Sequence, residues 1–271
     1  MRETLIVAGV LLAGWALRTY GHSAPRKVGA LAFLFATYLA GWFLTGAHIV
    51  GVLAVAAWFF LPWLEILTRI RHLRLPLDKH LRSAFPPSSQ RFPQLSSLTA
   101  AVEAENFESV EDTTFEWSGA SQFMRLFYHR ADKQQAAICL LEQGGIGVVW
   151  LSLSAKTPDE RTWRTWNYPF SHTMKLAPDT TLNVVNNVDT FEDLMGAHRD
   201  FLDRQGLTAD KLADQDPESF VDILQRETRR QVDHNLDQGL IELSGEGTFR
   251  YSWRGYLYLW RQFLRDMVRL S

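Results

Sequence analysis

The chain opens with long apolar runs separated by short basic segments, and then changes character. Residues 4–17, TLIVAGVLLAGWAL, carry no charge and end at Arg18. A second apolar stretch runs from Val28 to Thr68 with Glu65 as its only acid or base. A bilayer core of about 30 Å takes roughly 20 helical residues at about 1.5 Å each. The second stretch is about twice that length, so it is expected to fold back once, with LTGAH (44–48) as the turn. Three spans follow, over about 3–20, 28–45 and 48–68. A signal peptide is the alternative for the first, but a basic lead and a convincing small-x-small cleavage site are missing. Trp15, Tyr20, Trp42 and Trp63 fall near span ends, where interfacial aromatics belong, and Pro62 is expected to kink the third span.

Beyond the apolar part the pattern becomes that of a folded domain. SAFPPSSQRFPQ (83–94) reads as a semi-extended linker. A helix is expected from Ser96 to Glu105, with Leu95, Leu98, Ala101 and Val102 on one face. Six short runs rich in β-branched and aromatic residues follow, at 107–117, 123–130, 136–143, 146–154, 161–170 and 180–187. ADKQ, GG and KTPDE between them are turn material, and such short connections favour an antiparallel meander. Helices return at 190, where Thr190 and Asp193 form a capping-box-like start and Phe191, Leu194, His198, Phe201 and Leu202 share a face. After a short helix or turn over 207–215, a long helix opens at Asp216-Pro217 and ends at Gly239, and a last one runs from about Arg254 to Leu270. The fold class is therefore a membrane-anchored α+β protein. It has an anchor over 1–70, a basic stem and Pro/Ser linker over 71–94, an antiparallel β-rich domain over 95–189 and a helical C-terminal part over 190–271.

Charge gives these parts a direction. Residues 1–84 hold nine Lys/Arg against three Asp/Glu, residues 85–215 eleven against eighteen, and residues 216–271 eight against nine. Arg18, Arg26 and Lys27 flank the second span on one side, and Arg69, Arg71, Arg74, Lys79 and Arg82 follow the third, while the 44–48 turn has no Lys or Arg. Both basic segments belong on the cytoplasmic side, and the two spans between them permit it. A bacterial-type inner membrane with a cytoplasmic soluble domain is expected. Cys139 is the single cysteine, so no intrachain disulfide and no oxidising compartment are indicated. The basic residues after the third span suit an anionic leaflet, as do Arg261, Arg265 and Arg269 opposite the apolar face of the last helix. That helix is expected first to close the domain core and second to dock on the leaflet.

Catalytic signatures are missing: there is no G-x-S-x-G, no H-E-x-x-H and no phosphate loop. Gly144, Gly145 and Gly147 lie between two strands and read as a hairpin turn, and Cys139 in its apolar strand reads as core. His48 reads as a polar residue at a membrane turn, and His172, His198 and His234 lack metal-ligand spacing. No metal and no cofactor is expected. His129 and Asp132 could act as an acid–base pair across a turn, or the histidine could only cap it. The stronger candidate surface is RTWRTWNYPF: Arg164, Trp166, Tyr168 and Phe170 face one way along a strand, Trp163, Thr165 and Asn167 the other. Either both faces are covered, or one binds a partner, and Trp163, Arg164, Trp166, Tyr168 and Phe170 are the candidate partner-binding residues.

GLIELSGEGTFRYSWRG (239–255), between a long helix and a final one, resembles the wing end of winged-helix domains of the MarR and PadR types. The resemblance covers 216–271 and departs from the pattern in a longer presumed recognition helix, 217–237, and an acidic wing, SGEGTF. It implies a docking module for DNA or for protein. A DNA reader gets most of its affinity by neutralising phosphates, and neither this segment nor the acidic region before it offers a basic surplus. The leading expectation is thus a non-enzymatic accessory, scaffolding or assembly subunit that holds a protein partner at the membrane. A tethered DNA-binding regulator is the second reading, and a ligand-binding or hydrolytic domain around His129 and Asp132 the third.

Overall fold

The computed structural model describes residues 1–20, 23–186, 188, 190–245 and 247–270. Two units emerge: Met1–His72 together with the segment from Trp253, and Leu73–Ser252.

The apolar runs form α1 (Arg2–Arg18), α2 (Ser23–Thr45) and α3 (His48–Thr68). Glycines let them approach closely: a Cβ on Gly29 would lie 2.6 Å from the Gly14 carbonyl oxygen, and one on Gly51 2.6 Å from that of Tyr38. Small residues at such contacts are what packing between apolar helices requires. Two helices, Ala24–Thr45 and His48–His72, are long and apolar enough to cross a membrane. The first of the three expected spans is not a third: α1 has 17 residues, a length of about 25 Å against a core of about 30 Å. Pro62 lies buried inside α3.

The second unit begins with β1 (Leu75–Pro76), β2 (Arg82–Ser83) and α4 (Leu95–Ala104), followed by β3 (Glu108–Trp117), β4 (Ala120–His129), β5 (Gln134–Gln143), β6 (Ile146–Lys156), β7 (Thr162–Trp166) and β8 (Thr180–Val184). It continues with α5 (Phe191–Arg204), α6 (Phe220–Asp237), β9 (Ile241–Leu243) and β10 (Thr248–Tyr251). Strands β2 to β8 form one sheet in sequence order. The expected antiparallel meander holds from β3 to β7, with β2 added at its edge, but β8 runs parallel to β7. The connection over 167–179 is long enough for the crossover that a parallel pair needs. The stem and linker expected over 71–94 is, from Leu73 on, built into this unit. There β1 pairs with β10 and β2 with β3, and Leu81 and Phe92 are buried.

Both sheet faces are apolar, which is why AAICLL on β5 carries no polar alternation. On one face Phe127, Ile138, Leu140 and Leu153 pack under α4 and α5 with Val102, Phe191 and Leu194. On the other, Met124, Tyr128, Cys139 and Trp150 meet Phe220 and Ile223 of α6. Thr190 caps α5 by accepting the Asp193 N–H at 3.2 Å, the start read from the sequence. The last helix is α7 (Trp253–Leu270). It belongs with α1–α3, where Trp260 Nε1 donates to the Phe59 carbonyl at 2.8 Å and the Trp63 ring lies 5.6 Å from that of Trp253.

Candidate functional site

Strand alternation separates the candidate residues on β7. Trp163 and Thr165 face α5: the Trp163 ring is 5.8 Å from Phe201, and Thr165 Oγ1 lies 2.8 Å from His198 Nδ1. Arg164 and Trp166 face α6. Trp166 stands 5.6 Å from Tyr168 and 5.1 Å from His172, and Tyr168 in turn 4.9 Å from Trp150 and 5.6 Å from Phe170. The structure therefore brings Arg164, Trp166, Tyr168 and Phe170 together and places Trp163 on the opposite face.

On the α6 side, Glu227 ties helix to sheet. It accepts from Lys156 Nζ at 2.9 Å, Arg164 Nη2 at 2.8 Å and Thr162 Oγ1 at 3.0 Å. Burial opposes its ionisation, but Arg164 and Lys156 outweigh burial and hold its carboxyl down at about 2.

Beside this triad lies a groove of about 180 Å³, bounded by Lys79, Cys139, Trp150, Arg164 and Trp166 and walled on the α6 side by Phe220, Leu224 and Thr228. Lys79 reaches into it from the segment between β1 and β2. It donates to Gln122 Oε1 at 2.7 Å, with its ammonium 5.2 Å from the centre of the Phe115 ring. Burial pushes the Lys79 pKa down to about 8, with the Cys139 thiol opposing and Arg164 adding to that shift. The Lys79 side chain as a whole keeps partial exposure, so the buried part is the ammonium end. Burial also pushes the Cys139 thiol up to about 12, which makes it a poor nucleophile. No carboxylate lines the groove among the described residues. The Trp166 indole N–H is buried without a hydrogen-bond partner.

The other sequence candidates sit elsewhere. His129 Nδ1 accepts the Asp132 backbone N–H at 3.0 Å, which caps the turn between β4 and β5, and the Asp132 carboxylate is 3.5 Å from the same nitrogen. His48, at the turn between α2 and α3, has Nδ1 2.7 Å from the Tyr38 hydroxyl and stacks on Trp42 at 4.4 Å. Among the described residues no group of three or more His, Cys, Asp or Glu is placed to hold a metal ion. Of the basic residues proposed for a lipid surface, Arg69 pairs with Glu65 at 3.1 Å. Arg71, Arg74 and Arg82 are exposed, as are Arg261 and Arg265 on α7, whereas Arg269 is half-buried. Lys79 belongs to the groove. Neither Lys79 nor the pairing of Glu227 carried a local signal in the sequence, because their partners come from distant strands.

No protein-family model matches the chain, and no curated protein or solved structure is significantly similar to it.

Proposed function

We propose that this chain is a non-enzymatic, membrane-anchored accessory or assembly subunit. In this reading α2 and α3 cross a bacterial-type inner membrane and the sheet unit is cytoplasmic, where it holds a protein partner. Arg18 before α2, Arg26 and Lys27 at its start, and Arg69, Arg71 and Arg74 after α3 support that orientation.

The observation that carries the reading is the outer edge of β8. No described strand pairs with it. Val184 on β8 lies opposite Trp166 in the parallel register and is exposed, as is Phe170, whose ring stands 5.6 Å from Tyr168. An open strand edge beside aromatic side chains suits an added strand from a partner, with backbone hydrogen bonds for affinity and side-chain pockets for selectivity. Against the DNA reading stand the arginines of α6. Arg229 is engaged by Asp78 and Asp233, and Arg230 by Glu160 and Asp179, so a phosphate backbone would have to displace four carboxylates.

The test is the particle mass of the full-length protein extracted from its native membrane in a mild detergent, with companions identified. A large particle with defined companions is expected. A bare particle near 31.1 kDa plus detergent would overturn the reading.

A further inference from the structure

We propose that the groove between the central strands and α6 binds a small monocarboxylate whose apolar body is about the size of one aromatic ring. The site goes beyond the accessory role and stands whether or not a protein partner is found.

Size comes first. The groove offers about 180 Å³. An apolar cavity of about 150 Å³ holds benzene, so a single ring or a short alkyl chain fits and a full-length acyl chain does not. Trp150, Met124, Leu126 and Leu224 supply the apolar contacts.

Charge then selects the head group. Two cations line the groove, but they are not equivalent. Arg164 is paired from behind with Glu227, whereas among the described residues Lys79 meets the neutral Gln122 and the Phe115 ring and no carboxylate. Buried charges in proteins are normally paired, and an ammonium with no carboxylate against it and a second cation nearby is the position an anion would complete. Of the two cations that line the groove, Lys79 is the one with no carboxylate partner among the described residues, and a monocarboxylate is the partner proposed for it. Trp166 also lines the groove and its indole N–H is buried without a partner among the described residues, so in the proposed complex one carboxylate oxygen sits on Lys79 and the other turns towards that N–H.

A pH dependence follows. The groups that face Lys79 are Arg164 from β7, Cys139 from β5, Gln122 from β4 and Phe115 from β3, with Glu227 of α6 behind Arg164. In the empty groove the ammonium begins to lose its proton near pH 8. A bound carboxylate favours the charged form, so binding above that pH takes up a proton and weakens as the pH rises.

The experiment is calorimetric titration of the full-length protein in detergent with benzoate, phenylacetate and hexanoate at pH 7 and pH 9. Benzyl alcohol and inorganic phosphate serve as controls. Saturable one-to-one binding of at least one carboxylate is expected, about tenfold weaker at the higher pH, with no binding of the alcohol or of phosphate. Lys79→Met should abolish binding, and Trp166→Phe should weaken it several-fold. If Lys79→Met does not fold, Lys79→Gln replaces it, and the pH dependence of the unaltered protein remains an independent readout. Absence of binding by all three carboxylates would overturn the proposal. So would equal binding by the Lys79 variant, or phosphate binding as tightly as the carboxylates. None of these outcomes bears on the particle mass that tests the accessory reading.

Discussion

The Glu227 carboxylate on α6 receives the Arg164 guanidinium of β7 at 2.8 Å, well inside the protein. Lys156 completes the arrangement from β6, so a helix is fixed to two strands by one acid. Removing one member of a buried pair leaves the other charge uncompensated, at about 3–5 kcal/mol. Glu227→Ala is therefore expected to destabilise the sheet unit by that amount in a denaturant titration, and Glu227→Gln by less. The acid limb gives a second signature. The carboxyl is held at about 2 in the folded protein against 4.5 ordinarily, so its contribution is complete above pH 4.5 and is lost as the pH falls towards 2. The Gln variant should lose that part of the pH dependence, and an unchanged acid limb would rule it out.

Lys79 has the opposite sign. Its folded pKa of about 8 lies below the ordinary 10.5, so between these values the unfolded chain binds more protons. Stability then rises with pH across that window, and the burial penalty is fully present below it. Lys79→Met removes the penalty and is expected to melt no lower than the unaltered protein at pH 7, with the rise between pH 8 and 10.5 gone. A large loss of stability at pH 7 would mean that the ammonium has a compensating partner.

The strands were legible for a physical reason. AAICLLEQ and IGVVWLSLS are apolar on both faces and bracket Gly144-Gly145, so the hairpin of β5 and β6 follows from local pattern alone. Thr190 as a cap is equally local. Direction and partnership are not. Nothing in TTLNV tells β8 to run parallel to β7, because that depends on how 167–179 crosses over. The apolar stripe of α7 shows that the helix has a buried face but not what covers it. Lys79 looked like one more base after a membrane span, and its meeting with Gln122 closes 43 residues of chain.

His198, wholly buried on α5, makes a third titration signal. Burial lowers its pKa to about 4 from the usual 6.5, so below pH 6.5 the unfolded state takes the proton first. Stability should fall between pH 6.5 and 4, by up to about 3 kcal/mol at the lower end. His198→Gln should flatten that limb in a pH series of melting temperatures. An unchanged limb would assign the acid sensitivity elsewhere.

The α2–α3 contact makes a prediction about size. A Cβ on Gly51 would sit 2.6 Å from the Tyr38 backbone oxygen, which no rotamer change can relieve. Gly51→Leu should lower stability in detergent by about 1–3 kcal/mol, the usual range for overpacking. Gly9 on α1 has nothing within 4 Å of an added Cβ, so Gly9→Ala should be neutral or slightly stabilising. Equal effects at both positions would mean that the close approach at Gly51 is not populated.

The assignment of α7 to the helical unit decides between two outcomes of one substitution. Trp260 donates to the Phe59 carbonyl at 2.8 Å and lies 6.3 Å from Trp63, so Trp260→Ala removes a hydrogen bond and a ring contact on α3 together. If α7 is held there, the variant should release the helix. Tryptic cleavage after the exposed Arg261 and Arg265 should then quicken, while hydrogen exchange at the β4–β6 amides stays as slow as before. If α7 instead closed the sheet core, loosening it would open that core, and exchange in the central strands would accelerate with the cleavage. The two readings thus separate on the strand amides, since both allow faster cleavage of the tail.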